Sequence, residues 1–216
     1  MNQALSTPET HAEALEWNKI INEQADTKAG LDELTGAYNR KGLRRLLRKM
    51  IAVPDKYKDI NGQDLVGQKV AVLMLDLDHF KRINDMYGHG VGDRVLNSFA
   101  RLLLRNIHNT DALVRVGGEE FLLILFGEDK SGRATYEGID ERLKELPILT
   151  GKNSKTMRVN FSAGLCEVGW DKMVKIAETD DSQLTNVFAD VYKPADRALY
   201  QAKQRGRGQL VIASEQ

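Results

Sequence analysis

Apolar positions recur along this chain with two periods, and each switch between them marks a change of element. Over residues 11–28 a weakly apolar helical pattern carries Leu15, Trp17, Ile20, Ile21 and Ala25. It predicts a lead-in helix after a polar start, either exposed or one half of a short coiled coil. The run Asp32-Glu33-Leu34-Thr35-Gly36 breaks it. A second helix follows, with Leu43, Leu46, Leu47 and Met50 on one face and Arg40, Lys41, Arg44, Arg45, Arg48 and Lys49 on the other. The basic face reads as solvated. Residues 54–67 read as a polar loop, and residues 70–75 as a buried strand running into Asp76. Gly88, Gly90 and Gly92 punctuate an expected loop, and a helix begins by Val95.

Further on, residues 113–116 and 121–126 read as a hairpin turning at Gly117-Gly118. Tyr136, Ile139, Leu143 and Leu146 mark another helix, residues 158–168 a strand, and Ala195, Ala198, Leu199 and Ala202 a last helix. Residues 210–212 close the chain as a short strand. Strands interleaved with helices around one hairpin predict an α+β fold, a mostly antiparallel five-stranded sheet flanked by helices. Its core order, β-α-β-β-α-β, is the ferredoxin-like one.

Composition narrows the function. Lys plus Arg and Asp plus Glu number 31 each, so formal net charge is zero, which argues against a nucleic acid polymer as partner. The lone cysteine, Cys166, excludes an internal disulfide. No apolar run reaches the length of a membrane span, and the first residues lack a signal-peptide pattern. A soluble, cytoplasmic protein without a membrane partner is expected.

Acids stand in two places where a simple fold would not put them. Asp76 and Asp78 end the most apolar strand, and Glu119 and Glu120 follow two glycines at the hairpin turn. Asp76 and Asp78 share a strand face, and Asp76 converges with one of the glutamates if the two strands are neighbours. Clustered carboxylates repel unless a cation lies between them. Hard oxygen ligands suit Mg²⁺ or Mn²⁺. A phosphate loop of the GxxxxGK[ST] type is absent, and residues 76–81 fail as a calcium loop, because Phe80 and Lys81 fall where an oxygen ligand and Gly are needed. A D-x-D at a strand end also occurs in nucleotide-sugar glycosyltransferases.

Gly117-Gly118-Glu119-Glu120-Phe121 resembles the GGDEF motif of the diguanylate cyclases, in its GGEEF form. Four further segments resemble that family in the same order: residues 32–40 (DxLTGxxNR), 76–85 (DxDxFKxIND), 88–93 (GHxxGD) and 195–203 (ADxALYxAK), the last followed by Gly206-Arg207. The resemblance covers residues 32–212 and implies a palm like that of nucleotide cyclases. It divides the chain into a lead-in segment, 1–30, and a catalytic domain, 31–216. It implies that two GTP molecules are condensed into cyclic di-GMP and two pyrophosphates at a C2 homodimer interface. Asp76 and Glu119 would hold the metal by carboxylate and Leu77 by its carbonyl. Glu119 is also the family's candidate base for the 3′-hydroxyl, with Glu120 beside it, and a second metal activating that hydroxyl is the alternative. Phe80 and Lys81 would bind phosphate, Lys203 and Arg207 would clamp it from the opposite side, and Asn84 and Asp93 would read guanine. Asp93 also reads as a helix N-cap, and Lys203 and Arg207 are one turn apart if their helix continues.

Three departures qualify the resemblance. His108 stands where an RxxD product-inhibition site has Arg, with Asp111 in the Asp place, so feedback inhibition there is expected to be weak or absent. Gly208-Gln209 replaces the usual Asn after Gly206-Arg207, which is expected to loosen the last turn. Residues 167–190, with Trp170, Met173, Val174 and Ile176, are longer than usual and read as a surface excursion or a partner contact. Competing readings are a regulatory domain that binds GTP or cyclic di-GMP without turnover, another nucleotidyltransferase on the same fold, and a helix-led interaction domain.

Overall fold

The computed structural model describes residues 27–53, 64, 66–127, 132–145, 148–149 and 156–214. The expected lead-in helix lies outside these except at its end, where Thr27–Gly30 forms a 3-10 turn. The expected loop over 54–67 also lies mostly outside them.

The described elements in chain order are α1 (Arg40–Ala52), β1 (Val70–Leu77), α2 (Phe80–Tyr87), α3 (His89–Leu104), β2 (Ala112–Arg115), β3 (Glu120–Phe126), α4 (Gly132–Glu145), β4 (Ile148–Leu149), β5 (Thr156–Met157), β6 (Phe161–Val168), α5 (Trp170–Glu178), α6 (Leu184–Gln204) and β7 (Leu210–Ile212). Five strands form one sheet in the order β2-β3-β1-β6-β7. All its neighbours are antiparallel except β6 and β7. The expected α+β architecture is therefore the observed one. The short β4–β5 hairpin is an addition that the periodicity did not reveal.

Every residue of β1 is buried, as befits a central strand covered on both faces. Alternation then sorts the core into two layers. Leu73, Leu75 and Leu77 pack with Phe99, Phe121 and Phe161 under α2, α3 and α4. Val70, Val72 and Met74 pack with Leu122, Ile124 and Phe126 under α1, α5 and α6. Each such side chain contributes about 1.5–3 kcal/mol by leaving water. Phe99 anchors the first layer, edge-on to Phe121 at 5.7 Å between ring centroids.

Several expectations need correction. Residues 158–160 lie outside the strand that begins at Phe161. Gly90 and Gly92 belong to α3, which starts at His89, so Asp93 sits inside the helix and does not cap it. Residues 167–190 are no excursion, because Trp170, Met173 and Ile176 on α5 are buried in the second core layer. That packing also revises the basic face of α1. Arg44 donates to the Thr179 carbonyl and pairs with Asp181, while Arg48 donates to the Ala177 carbonyl. Guanidinium groups placed at the end of α5 satisfy carbonyls that a helix terminus leaves open.

Candidate active site

The register of β1 against β3 sets Asp76 directly opposite Glu120, and Glu119 precedes β3 by one residue. Even-numbered residues of both strands face α6, so Asp76 and Glu120 share that face. Asp76 is only 4% exposed, and its one ion-pair partner among the described residues is Lys203 of α6, 2.7 Å from Oδ2. Burial pushes the carboxyls of Asp76, Glu119 and Glu120 up from their ordinary values. The charge of Asp76 adds to this for both glutamates, and Lys203 opposes it without cancelling it. Three carboxylates thus cluster around Lys203 in a partly desolvated place, with weaker attraction from Arg207 at Asp76 and from Arg40 at Glu120. An oxygen-only donor set of this kind fits a hard divalent cation. No three Asp, Glu, His or Cys side chains among the described residues are grouped to hold an ion unaided. A metal here would therefore draw on a backbone carbonyl and on ligand oxygens as well.

Asp78 does something different from Asp76. It is buried, and it accepts from Ser162 Oγ at 2.7 Å and from the Gly208 N–H at 3.0 Å. It ties the end of β1 to the loop before β7. Gln209, after the Gly208 that stands in the place of the expected Asn, joins this loop to the end of α6. The Gln209 amide donates to the carbonyls of Ala202, Arg205 and Arg207 at 3.0–3.4 Å, closing the end of α6. Arg207 lies beyond that helix with φ 65°, so the expected one-turn spacing with Lys203 does not hold.

At the start of α2, the N–H groups of Phe80 and Lys81 have no acceptor within the helix. Phe80 is buried and Lys81 exposed. Asn84, also on α2, has a buried Oδ1 without a hydrogen-bond donor among the described residues. A Cβ on Gly92 would overlap that oxygen, so only glycine at 92 lets α3 approach Asn84 this closely. Asp93 follows Gly92 and is exposed.

The residues that hold the hairpin tip escaped the sequence reading. Arg115 of β2 donates to Asp32 Oδ1 at 2.9 Å and to the Gly118 carbonyl at 2.7 Å. Asp32 Oδ1 also accepts from the Thr35 N–H at 3.0 Å and its hydroxyl at 2.6 Å. Arg40 donates to the Val116 carbonyl at 3.0 Å, and Asn39 caps α1 through Gly42 N–H at 3.0 Å. The segment at 32–40 is thus a bracket on the turn that presents Glu119. An Asp and an Arg inside recurring motifs were the signal available for it.

Burial works to raise the Asp32 carboxyl, but Thr35 and Arg115 outweigh it and hold it below its ordinary value of 3.8. A carboxyl lowered in the folded state stabilises the fold above its unfolded pKa, and that stability is lost as pH falls through the folded pKa. Asp32→Asn is expected to lose about 1–3 kcal/mol at pH 7, with the gap to the parent closing below about pH 4. Urea melts at both pH values check this, and a constant gap would contradict it.

A palm-like sheet with acids where β1 meets the β3 hairpin defines the class: an α+β domain of the nucleotide-cyclase type. The chain belongs to the GGDEF family, whose model, described as the diguanylate cyclase GGDEF domain, matches residues 29–209. It is 32% identical over 162 residues to the probable diguanylate cyclase DgcT of Escherichia coli, covering 72% of this chain and 32% of that protein. It is also 32% identical over 184 residues to the cyclic di-GMP phosphodiesterase PdeR of the same organism, covering 85% of this chain and 24% of that one. Among solved structures, it resembles diguanylate cyclase SiaD of Pseudomonas aeruginosa, crystallised with its activator SiaC. There the TM-score is 0.64 and the identity 29%, over 94% of this chain and 68% of that one. Across the first three curated relatives the chain spans 32–38% of their length.

Proposed function

We propose that this chain is a diguanylate cyclase, condensing two GTP into cyclic di-GMP and two pyrophosphates at the interface of a C2 homodimer. The observation that carries this reading is the register that sets Asp76 opposite Glu120, with Glu119 beside them and Lys203 facing Asp76. Residues 31–216 form the catalytic unit and residues 1–30 the lead-in that pairs in the dimer, in the cytoplasm. No helix among the described residues is long and apolar enough to cross a membrane.

Asp76, Glu119 and the Leu77 carbonyl would hold Mg²⁺ or Mn²⁺, which when bound would supply Lewis-acid stabilisation of phosphate charge. Lys203 pairs with Asp76 and would clamp phosphate opposite Lys81. Glu119 takes the 3′-hydroxyl proton, helped by Glu120, and Lys81 steadies the phosphates with the Phe80 and Lys81 N–H groups. Arg207 grips the same phosphates from across the cleft. Asn84 offers its unpaired Oδ1 to an N–H of the base, and Asp93 accepts from the guanine edge, which adenine lacks.

Purified protein with GTP and Mg²⁺ is expected to yield cyclic di-GMP on chromatography. Little product is expected with ATP or after chelation of the metal. GTP bound without turnover, at a concentration where the protein is dimeric, would instead favour a regulatory domain, in line with the similarity to PdeR.

Feedback inhibition through Asp111 is expected to be absent. Asp111 is 6% exposed, and it accepts from the backbone N–H groups of His108 at 2.8 Å and Phe126 at 3.1 Å. His108 supplies no guanidinium fork. Initial rates should be unchanged by added cyclic di-GMP at micromolar levels. Inhibition that disappears in Asp111→Asn would contradict this.

A further inference from the structure

A second feature lies just past the carboxylates. A cavity of about 540 Å³ opens between α2, the residues before β6 and the turn after α6. Its lining includes Arg82, Arg158, Arg207, His79, Asn160 and Asp78. Only one carboxylate, that of Asp78, is among the lining residues, and both its oxygens are taken by Ser162 and Gly208. The three guanidinium groups have no hydrogen bond or ion pair with any described residue. Arg40, Arg44, Arg48 and Arg115, by contrast, are all engaged. All three arginines are exposed and Arg207 also feels the charge of Asp76, and three like charges around one cavity favour an anion between them.

The backbone points the same way. His79 and Arg207 are the non-glycine residues with positive φ among the described residues, at 59° and 65°, and both line this cavity. Such conformations persist where surrounding contacts enforce them, and they gather at ligand clamps. At Arg207 the enforcing contacts are its own N–H to the Ala202 carbonyl at 3.0 Å and the neighbouring Gly208 N–H to Asp78 at 3.0 Å.

We propose that Arg82 and Arg158 join Arg207 in a polyphosphate pocket that receives the pyrophosphate leaving group. The inference rests on the cyclase reading and extends it to two arginines that the family motifs leave unassigned. In the reaction, the 3′-oxygen forms a bond to the α-phosphorus. The bond from that phosphorus to the bridging oxygen breaks, and its electron pair leaves on pyrophosphate. The 3′ proton passes through Glu119 to water. The leaving group thus gains negative charge. Guanidinium forks match phosphate oxygens two at a time, so a pocket lined by three of them draws the product away. Exposed Met86 and Tyr87 also line the pocket, and they give a rival ligand, a nucleotide whose base rests on them, a concrete form.

The test is calorimetry of sodium pyrophosphate with the full chain, without added metal. The parent is compared with Arg82→Gln/Arg158→Gln and with Arg101→Gln/Arg105→Gln, an equal charge change at exposed positions of α3 and just beyond it. The pocket pair is expected to weaken binding about tenfold or more, and the control pair to leave it nearly unchanged. No binding by the parent, or equal weakening by both pairs, overturns the pocket. Guanosine, which carries no phosphate, losing affinity in the pocket pair but not in the control pair overturns the leaving-group assignment in favour of a nucleotide site whose base rests in the pocket. Because binding is read without turnover, the two proposals separate. Pyrophosphate binding that needs the pocket pair, in a protein that makes no cyclic di-GMP, would refute the cyclase reading while leaving the anion pocket standing.

Discussion

Glu119→Gln is expected to cut cyclic di-GMP formation by about 10³-fold or more while leaving the fold intact. Glu119 lies at the hairpin tip, where burial and the charge of Asp76 already push its carboxyl up. On the proposed reading, a neutral amide of the same shape would remove a metal ligand and a proton acceptor together. The same replacement relieves repulsion from Asp76 and Glu120, so the melting temperature should hold or rise. Product chromatography and a thermal melt on one preparation check both halves. Near-normal turnover, or a fall in melting temperature of several degrees, would count against the role assigned to Glu119.

Arg115→Ala should damage stability and turnover together. The Arg115 side chain is 15% exposed and holds Asp32 and the Gly118 carbonyl at once. Truncation leaves a half-buried carboxylate and a turn carbonyl without their partner. The expected loss is about 2–4 kcal/mol of stability, with turnover about 10–100-fold lower because the turn carrying Glu119 slackens. The measurement includes a double-mutant cycle with Asp32→Asn. If Arg115 acts through Asp32, the double variant loses less than the sum of the singles by about 0.5–3 kcal/mol. Simple additivity would mean that Asp32 and Arg115 do not work as a unit.

How far the sequence reveals this depends on what kind of signal each feature leaves. The sheet is legible because β1, β3 and β6 alternate or run apolar for seven or eight residues, and the GGEEF segment sits at a turn that its glycines announce. Asp76 stands out as an acid on an apolar strand. Less legible are features fixed by contacts distant in sequence. Gly90 and Gly92 look like loop residues, and the approach of Asn84 explains why the helix carries glycine at 92. The arginines of α1 look solvated because their acceptors are main-chain carbonyls some 130 residues away, which no side-chain pattern encodes. Trp170, Met173 and Ile176 look like an excursion because nothing local shows that a second core layer awaits them.

The joint between α1 and α5 bears on how the domain tolerates sequence drift. Arg44 and Arg48 grip the carbonyls of Thr179 and Ala177, atoms that every residue type possesses. Substitutions at Thr179 should therefore pass almost unnoticed in a mutational scan, whereas those at Arg44, whose side chain is 11% exposed, should be depleted. A lineage could rewrite the exposed positions at the end of α5, so long as Ile176 and Ala177 kept their core packing and the two arginines remained to hold its backbone.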